Sequence, residues 1–369
     1  MIVFYGHFSS DSSFPVVCKA IARWAFKKRR KFCICDLRRP AWSPSAELEH
    51  ELCGIRRVPS DIQQHVIENM RVIQSGNAPK DRLSLDGRAL LFAFPEWSWA
   101  LPIHDGGLVG YHVCDVDAVP SYWVDAISAN ESFMLTPSSW CSQVFRNCGV
   151  PGKISVVRHG IDPDIFSPIE RTYTFPAVRY FCSSQTGHRK SLYETMKAWK
   201  IAVGKGAGGT LIVRGLKDDL VRQFVNIPNV LFERGAPLTP ESMARVLRST
   251  DLLLAPSRAE GFGMIPLQAL ACGTPVVMTD CTGHSEFVSR LQPSSGVYIV
   301  QTGEMSPCPI EAGKAPSLDA YHLADAIVAA LKSLDILKQE AFLASTYVRD
   351  KWSWNSVLSG SALDRLLSS

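Results

Sequence analysis

Short, wholly apolar runs separated by helix-length stretches recur along this 369-residue chain, and the alternation stops and restarts once. Met1 to Tyr5, Lys31 to Asp36, Ala89 to Phe94, Leu108 to Val113, Phe133 to Thr136 and Ile154 to Arg158 read as buried strands. An apolar-periodic helix over Phe14 to Phe26, and another near Asp61 to Gln74, fall between them. A strand without a polar face must be covered on both sides, and strand–helix–strand order covers it by building a parallel sheet. From Pro163 to Phe175 the composition turns to Pro, Ser, Thr and charge, as a linker does. Alternation then resumes: Tyr180 to Ser183, a helix from Leu192 to Val203, then strands at Thr210 to Arg214, Val230 to Glu233, Leu252 to Ala255 and Val276 to Thr279. The pattern predicts an α/β protein of two doubly wound, Rossmann-like domains facing a cleft. Expected boundaries are 1–168 and 169–345, followed by a helical segment over 346–369 that Trp352-Ser353-Trp354 interrupts.

Bulk properties exclude several classes. A hydrophobic content of 46% with 20% charged residues belongs to a soluble globular protein, and a net charge of +4 is too mild by itself to indicate nucleic acid. The 11 cysteines contain no CxxC pair and sit mostly in apolar runs, which predicts reduced, buried thiols in a cytoplasmic setting and no zinc site. The N-terminus turns polar right after Tyr5, so it reads as a first strand and not a signal peptide. No run approaches the ~20 apolar residues of a membrane span.

The chemistry is densest between Pro256 and Val277, where a buried strand leads into a polar loop, a helix from about Met264, and a second buried strand. Glu260 is followed at once by Gly261-Phe262-Gly263, which sets bare backbone amides beside a carboxylate at a helix N-terminus. A carboxylate accepts hydrogen bonds from sugar hydroxyls, while the amides and the helix dipole face an anion. Earlier in this half, Gly187-His188-Arg189-Lys190-Ser191-Leu192 follows a strand and opens a helix. Adjacent cations there oppose the helix dipole, so a bound anion such as a diphosphate would balance them. Thr282-Gly283-His284-Ser285-Glu286 is a loop at the end of another strand whose amides can meet phosphate, with Glu286 read as a helix-start residue.

Together these segments resemble the retaining, GT-B-fold glycosyltransferases of family 4, whose E-x7-E region grips the donor sugar and the nucleotide ribose. Here the first acid is Glu260 and the second position is Gln268. A Gln amide accepts from a ribose hydroxyl but makes no charge-assisted pair, so donor affinity or choice should differ from the family pattern. The resemblance implies roles for both halves. Arg189 and Lys190 would stabilise the departing diphosphate, Glu260 would hold the sugar, and Gly261, Phe262, Gly263, Thr282 and Gly283 would line the donor site. The first half would take the acceptor, with Gly6, in the loop Gly6 to Ser10, bordering acceptor and phosphate. Cys114-Asp115-Val116-Asp117, then Pro137-Ser138, then His159-Gly160-Ile161-Asp162 match the family's order at the end of the first domain. Asp115, where many relatives carry Glu, would hold the acceptor hydroxyl, steer a neighbour, or cap the next helix; His159-Gly160 would be a structural turn.

The implied activity is metal-independent hexosyl or pentosyl transfer from a nucleoside-diphosphate sugar (UDP- or GDP-linked) to an acceptor hydroxyl, with no further cofactor. Asp115-Val116-Asp117 has the Asp-x-Asp form of a metal loop but lies in the first half, away from the expected donor domain. The acceptor stays open among glycan, lipid-linked and other hydroxyls, hydroxymethylated DNA bases included, and a non-catalytic nucleotide-sugar binder is the remaining alternative. Lys27-Lys28-Arg29-Arg30-Lys31, with Arg38-Arg39, is a basic cluster that suits a solvated helix end, an anionic membrane surface or a nucleic-acid backbone equally.

Overall fold

The computed structural model describes residues 1–8, 14–37, 54–77, 79, 82–169, 177–182, 187–235, 238–308 and 313–368. The loop residues Ser9 and Ser10, the pair Arg38-Arg39 and residues 170–175 of the expected linker therefore lie outside the described residues. The chain divides into two compact units. One comprises Met1–Cys114, Ala118–His159 and Val357–Ser369; the other comprises Asp115–Asp117 and Gly160–Ser356.

The first unit is built on a seven-stranded parallel sheet of order β3-β2-β1-β5-β7-β8-β9. Its strands are β1 (Ile2–Gly6), β2 (Phe32–Asp36), β3 (Arg56–Arg57), β5 (Arg88–Phe92), β7 (Leu108–Tyr111), β8 (Glu131–Thr136) and β9 (Ile154–Val156); β4 (Ser84–Leu85) and β6 (Ile103–His104) form a small separate ladder. Every residue of β1 and β2 is buried, as continuous apolar runs require in a sheet covered on both faces. The helix Phe14–Lys27 buries Val17, Cys18, Ile21 and Ala25, and ends on Lys27, a cation suited to the helix C-terminus. The last helix, Ala362–Ser368, belongs to this unit: it buries Leu363, Leu366 and Leu367, and Asp364 pairs with Arg30 at 2.6 Å.

The second unit holds a six-stranded parallel sheet of order β12-β11-β10-β13-β14-β15. Its strands are β10 (Ala177–Phe181), β11 (Thr210–Arg214), β12 (Val230–Glu233), β13 (Leu252–Ala255), β14 (Val276–Thr279) and β15 (Val297–Val300). A hairpin of β16 (Met305–Pro307) and β17 (Lys314–Pro316) follows. On one sheet face Trp199 and Met196 of the helix Leu192–Gly204 meet Leu323 and Ile327 of the helix Ala320–Lys332, above Tyr180, Val213 and Leu254. Trp199 is fully buried and its indole N–H donates to the Pro228 carbonyl at 3.1 Å, so a large apolar group enters the core without stranding its one donor.

The units part at His159/Gly160, where the sequence pattern put the boundary after residue 168. The helix Leu334–Trp352 runs through the expected start of the terminal segment. Its end is tied into the second unit by a parallel bridge: Ile161 N–H donates to the Trp352 carbonyl (2.8 Å) and Trp354 N–H to the Ile161 carbonyl (3.0 Å). Gly160 permits that approach, since a Cβ there would lie 2.8 Å from the Trp354 nitrogen. Among the described residues no helix is long and apolar enough to cross a membrane, and no cysteine forms a disulfide.

Candidate active site

In the second sheet, β10 is the first strand and sits in the middle; β11 and β12 extend one way, β13 to β15 the other. The crevice beyond the carboxyl ends of β10 and β13 is therefore a topological switch point, where open α/β sheets bind ligands. Parallel registers, Val178 with Leu252 and Leu253 with Val276, bring the ends of β10, β13 and β14 to one edge. Three loops leave that edge, and backbone hydrogen bonds tie them together. The Arg189 carbonyl accepts from the amides of Arg258 (2.7 Å) and Ala259 (3.4 Å); the Glu260 carbonyl accepts from the Gly283 amide (2.7 Å).

Arg189 and Lys190 lie in a hydrogen-bonded turn, with Leu192 N–H donating to the Gly187 carbonyl at 2.8 Å, and the helix begins only after them. Ser191 makes this corner with φ 59°, and Thr282 in the facing loop has φ 51°. A left-handed conformation is unfavourable for a non-glycine residue, most of all a β-branched one, and costs roughly 1–3 kcal/mol where it persists. At Thr282 the surroundings offset it: its hydroxyl oxygen accepts from the Glu260 amide at 3.0 Å. Tyr180 holds the other corner by donating its hydroxyl to the Lys190 carbonyl at 2.7 Å.

These turns bring the adjacent Arg189 and Lys190 together with Glu260, 70 residues beyond Lys190. Lys190 Nζ is hydrogen-bonded to Glu260 Oε1. Arg189 Nη1 lies 3.5 Å from Glu260 Oε2 and donates to the Ala259 carbonyl at 3.2 Å, while its Nε is 3.4 Å from Asp115 Oδ2. Burial alone would push the Glu260 carboxyl up, but Lys190, then Arg189 and His284, outweigh it and hold the group down at about 2. A buried carboxylate kept ionised this way depends on its partners, because removing one leaves an uncompensated charge. The two cations that oppose the dipole of the following helix are thus balanced within the protein, where the sequence suggested a bound anion.

Asp115 comes from the first half of the chain, yet it belongs to the second unit, and this corrects the expectation that Asp115-Val116-Asp117 stands apart from the donor domain. Asp115 Oδ1 accepts from the Gly261 amide at 2.7 Å. Asp117 exchanges two bonds with Lys314 in β17, its amide donating to the Lys314 carbonyl (3.2 Å) and its Oδ1 accepting from the Lys314 amide (2.5 Å). Val116 packs with Ala259, Cys308 and Ala315. Of the three roles considered for Asp115, the contacts are those of a residue steering its neighbours; the next helix, Ser121–Asn130, has Pro120 at its N-cap and no side-chain cap.

The remaining residues fall into distinct places. The Gly261 amide, expected to line the sugar site, is engaged by Asp115. Phe262 is buried against Phe287 and Trp352, with ring centroids 6.0 and 5.9 Å away. Gly263, with φ 93°, caps the helix Met264–Ala271, and Gln268 sits just over one turn into that helix, 7% exposed. Gly283 is a close-approach glycine: a Cβ would come within 2.3 Å of the Gly261 carbonyl carbon. Gly6 ends β1 in the other unit, where a Cβ would press on Cys18 Sγ at 2.8 Å. Glu286 lies in the first turn of the helix Ser285–Val288 and pairs with Arg290 at 3.2 Å; His159 is buried beside Phe92 and Tyr111, and burial lowers its pKa to about 3.

Sequence reasoning quoted His284 within its loop and assigned it nothing. Its ring is 1% exposed and lines a small concavity together with Tyr180, Lys190, Ser257, Glu260 and Ile265. The signal available was its place, directly after Thr282-Gly283 in the loop that leaves β14 and faces Glu260.

Comparison with known proteins shows the family and the fold. The profile described as "Family 4 Glycosyltransferase in conflict systems" matches residues 170–360, which contain Arg189, Lys190, Glu260 and Gln268. The chain belongs to this glycosyltransferase family. It is 32% identical over 140 residues to D-inositol 3-phosphate glycosyltransferase of Mycobacterium marinum, a match covering 34% of this chain and 30% of that protein. Lipopolysaccharide core biosynthesis mannosyltransferase LpsB of Rhizobium meliloti is 29% identical over 164 residues, 39% of this chain and 46% of its own. The chain thus spans less than half the length of these curated relatives. Among solved structures, a glycosyltransferase from Rickettsia africae aligns over 100% of this chain and 97% of its own, with TM-score 0.67 at 14% identity. Sucrose-phosphate synthase from Thermosynechococcus elongatus aligns over 100% and 98%, with TM-score 0.65 at 15% identity. Anabaena HepE, solved with UDP and glucose, aligns over 100% and 99%, with TM-score 0.67 at 14% identity. The fold is GT-B, two Rossmann-like α/β domains, as the sequence implied.

Proposed function

We propose that this protein is a retaining, metal-independent glycosyltransferase that moves a sugar from a nucleoside-diphosphate sugar to an acceptor hydroxyl. The observation that carries this reading is the meeting of Arg189, Lys190 and Glu260 at the switch point of the second sheet. A departing diphosphate gathers negative charge, and two fixed cations placed there stabilise it most when the bond is breaking. Both cations pair with Glu260; a bound diphosphate takes them over, and Glu260 turns to accept from sugar hydroxyls. Asp115 keeps Arg189 and the Gly261 loop in position, and Gln268 receives a ribose hydroxyl as a neutral acceptor. Retention follows the family's chemistry, with the acceptor attacking from the face the diphosphate leaves. Arg189 and Lys190 supply the charge otherwise supplied by a metal, so chelation with EDTA should leave turnover unchanged.

A panel of UDP- and GDP-sugars, assayed for hydrolysis and for thermal stabilisation, tests the reading. At least one should stabilise the fold and be hydrolysed slowly; no stabilisation by any nucleotide sugar would remove it. For the acceptor, an observation in the first unit favours a polyanionic carrier: Lys27, Lys28, Arg29 and Lys31 are exposed beside exposed Phe26, while Arg30 is spent on Asp364. An acceptor carried on nucleic acid or an anionic surface would then bind with strong salt dependence, and one without charge would not.

A further inference from the structure

We infer that His284 is a hydroxyl-accepting residue of the donor site, taking a hydrogen bond at Nε2 from the sugar that Glu260 also holds. The inference rests on the transferase reading and adds to it a specificity residue. His284 Nδ1 lies 3.1 Å from the Thr279 carbonyl oxygen, which can only accept, so the ring hydrogen is on Nδ1. Thr279 offers no competing donor to that nitrogen, because its hydroxyl is hydrogen-bonded to the Ser257 carbonyl. Nε2 is therefore a bare lone pair, and it has no hydrogen-bond partner among the described residues. The ring stays neutral: burial lowers its pKa, more than Glu260 raises it, to about 4.

The position is built for that edge of the ring. Residue 263 is glycine with φ 93°, and a Cβ there would stand 2.3 Å from His284 Cδ2 and 2.7 Å from Nε2. The ring shares the walls of one concavity with Lys190 and Glu260. A neutral, acceptor-only nitrogen repels phosphate oxygens and receives O–H or N–H donors. Beside a carboxylate that is also acceptor-only, it selects a polyol. The ligand class is thus the hydroxyl-bearing sugar of the donor, and the diphosphate is left to Arg189 and Lys190.

Titration calorimetry with UDP, UDP-glucose, GDP and GDP-mannose tests this on wild type, His284→Phe and His284→Gln. Phe fills the ring's space without a lone pair; Gln can return an acceptor oxygen near Nε2. For whichever pair the protein binds, His284→Phe should weaken the nucleotide sugar by about 5- to 20-fold and leave the free diphosphate within about two-fold, and His284→Gln should recover most of the loss. Equal weakening of sugar and diphosphate, or no change in either, overturns the assignment while the transferase reading stands. Wild type binding none of the four removes both. Should His284→Phe fail to fold by circular dichroism, His284→Gln carries the test: its diphosphate affinity must stay at the wild-type value, with the sugar's share of binding retained in part.

Discussion

Each unit of this protein holds a buried ionic pair, and the two differ in what they leave open. In the first unit His112 Nε2 lies 2.7 Å from Glu131 Oε1, with both side chains wholly inaccessible, and Nδ1 meets the Ala93 carbonyl at 2.8 Å. Gly110 makes room for it, since a Cβ would strike Glu131 Oε2 at 2.0 Å. In the second unit the Lys190 and Glu260 side chains keep 20% and 10% of their surface, beside a concavity. The sealed pair can only brace β8, which carries Glu131, against His112 just past the end of β7. The accessible pair can exchange its partner for a ligand, so access, more than the strength of the pairing, separates scaffold from site.

The comparison breaks most visibly in the second unit. Lys190→Ala should lower turnover by roughly 10²- to 10³-fold and weaken donor binding as well, because it removes a fixed charge from the departing diphosphate. Glu260→Gln should lower turnover more than donor binding; equal, small effects from both variants in steady-state kinetics would dissolve the distinction. In the first unit, Glu131→Ala should cost about 3–5 kcal/mol in chemical denaturation, with nucleotide binding by the folded fraction unaltered. A selective loss of nucleotide binding there would make the sealed pair part of the site.

Acid sharpens the contrast at a smaller scale. His284 has a folded pKa of about 4, below the usual value of 6.5, so between those limits the unfolded chain binds more protons and stability rises with pH. Its contribution is complete above ~6.5 and is lost as pH falls toward 4. His112 runs the other way. Burial lowers its pKa, but Glu131 and the Ala93 carbonyl raise it further, for a net increase; its contribution is present below ~6.5 and fades as pH rises through the folded value. Melting curves from pH 4 to 8 should show His284→Phe less acid-sensitive than wild type, and His112→Phe flatter on the alkaline side.

Strands were legible because an apolar run has few alternatives: β1, β2 and β13 lie where continuous hydrophobicity predicted them. β15 was not, since Val297–Val300 is short, only partly buried and not marked by a long apolar run. Glu260, Arg189 and Lys190 stood out as candidates from local chemistry, an acid before Gly-x-Gly and two cations before a helix. Their mutual pairing was not, because nothing local relates residue 190 to residue 260. Asp115 was misplaced for the same reason: chain order put it with the first half, while its carboxylate is the partner of the Gly261 amide.

The sequence by itself determined that this chain forms two doubly wound α/β halves, and it marked the acid-Gly-x-Gly loop as the expected chemical centre of the second. Periodicity and turn chemistry are local, acting within one strand or helix, so they can be read without knowing the fold. Only the tertiary structure decided that Lys190 balances Glu260, that Asp115 serves the second unit, and that His284 presents a bare nitrogen beside them. Those facts depend on parallel registers that bring three strand ends to one edge, and on burial, which turns modest charges and one ring nitrogen into groups that must find partners.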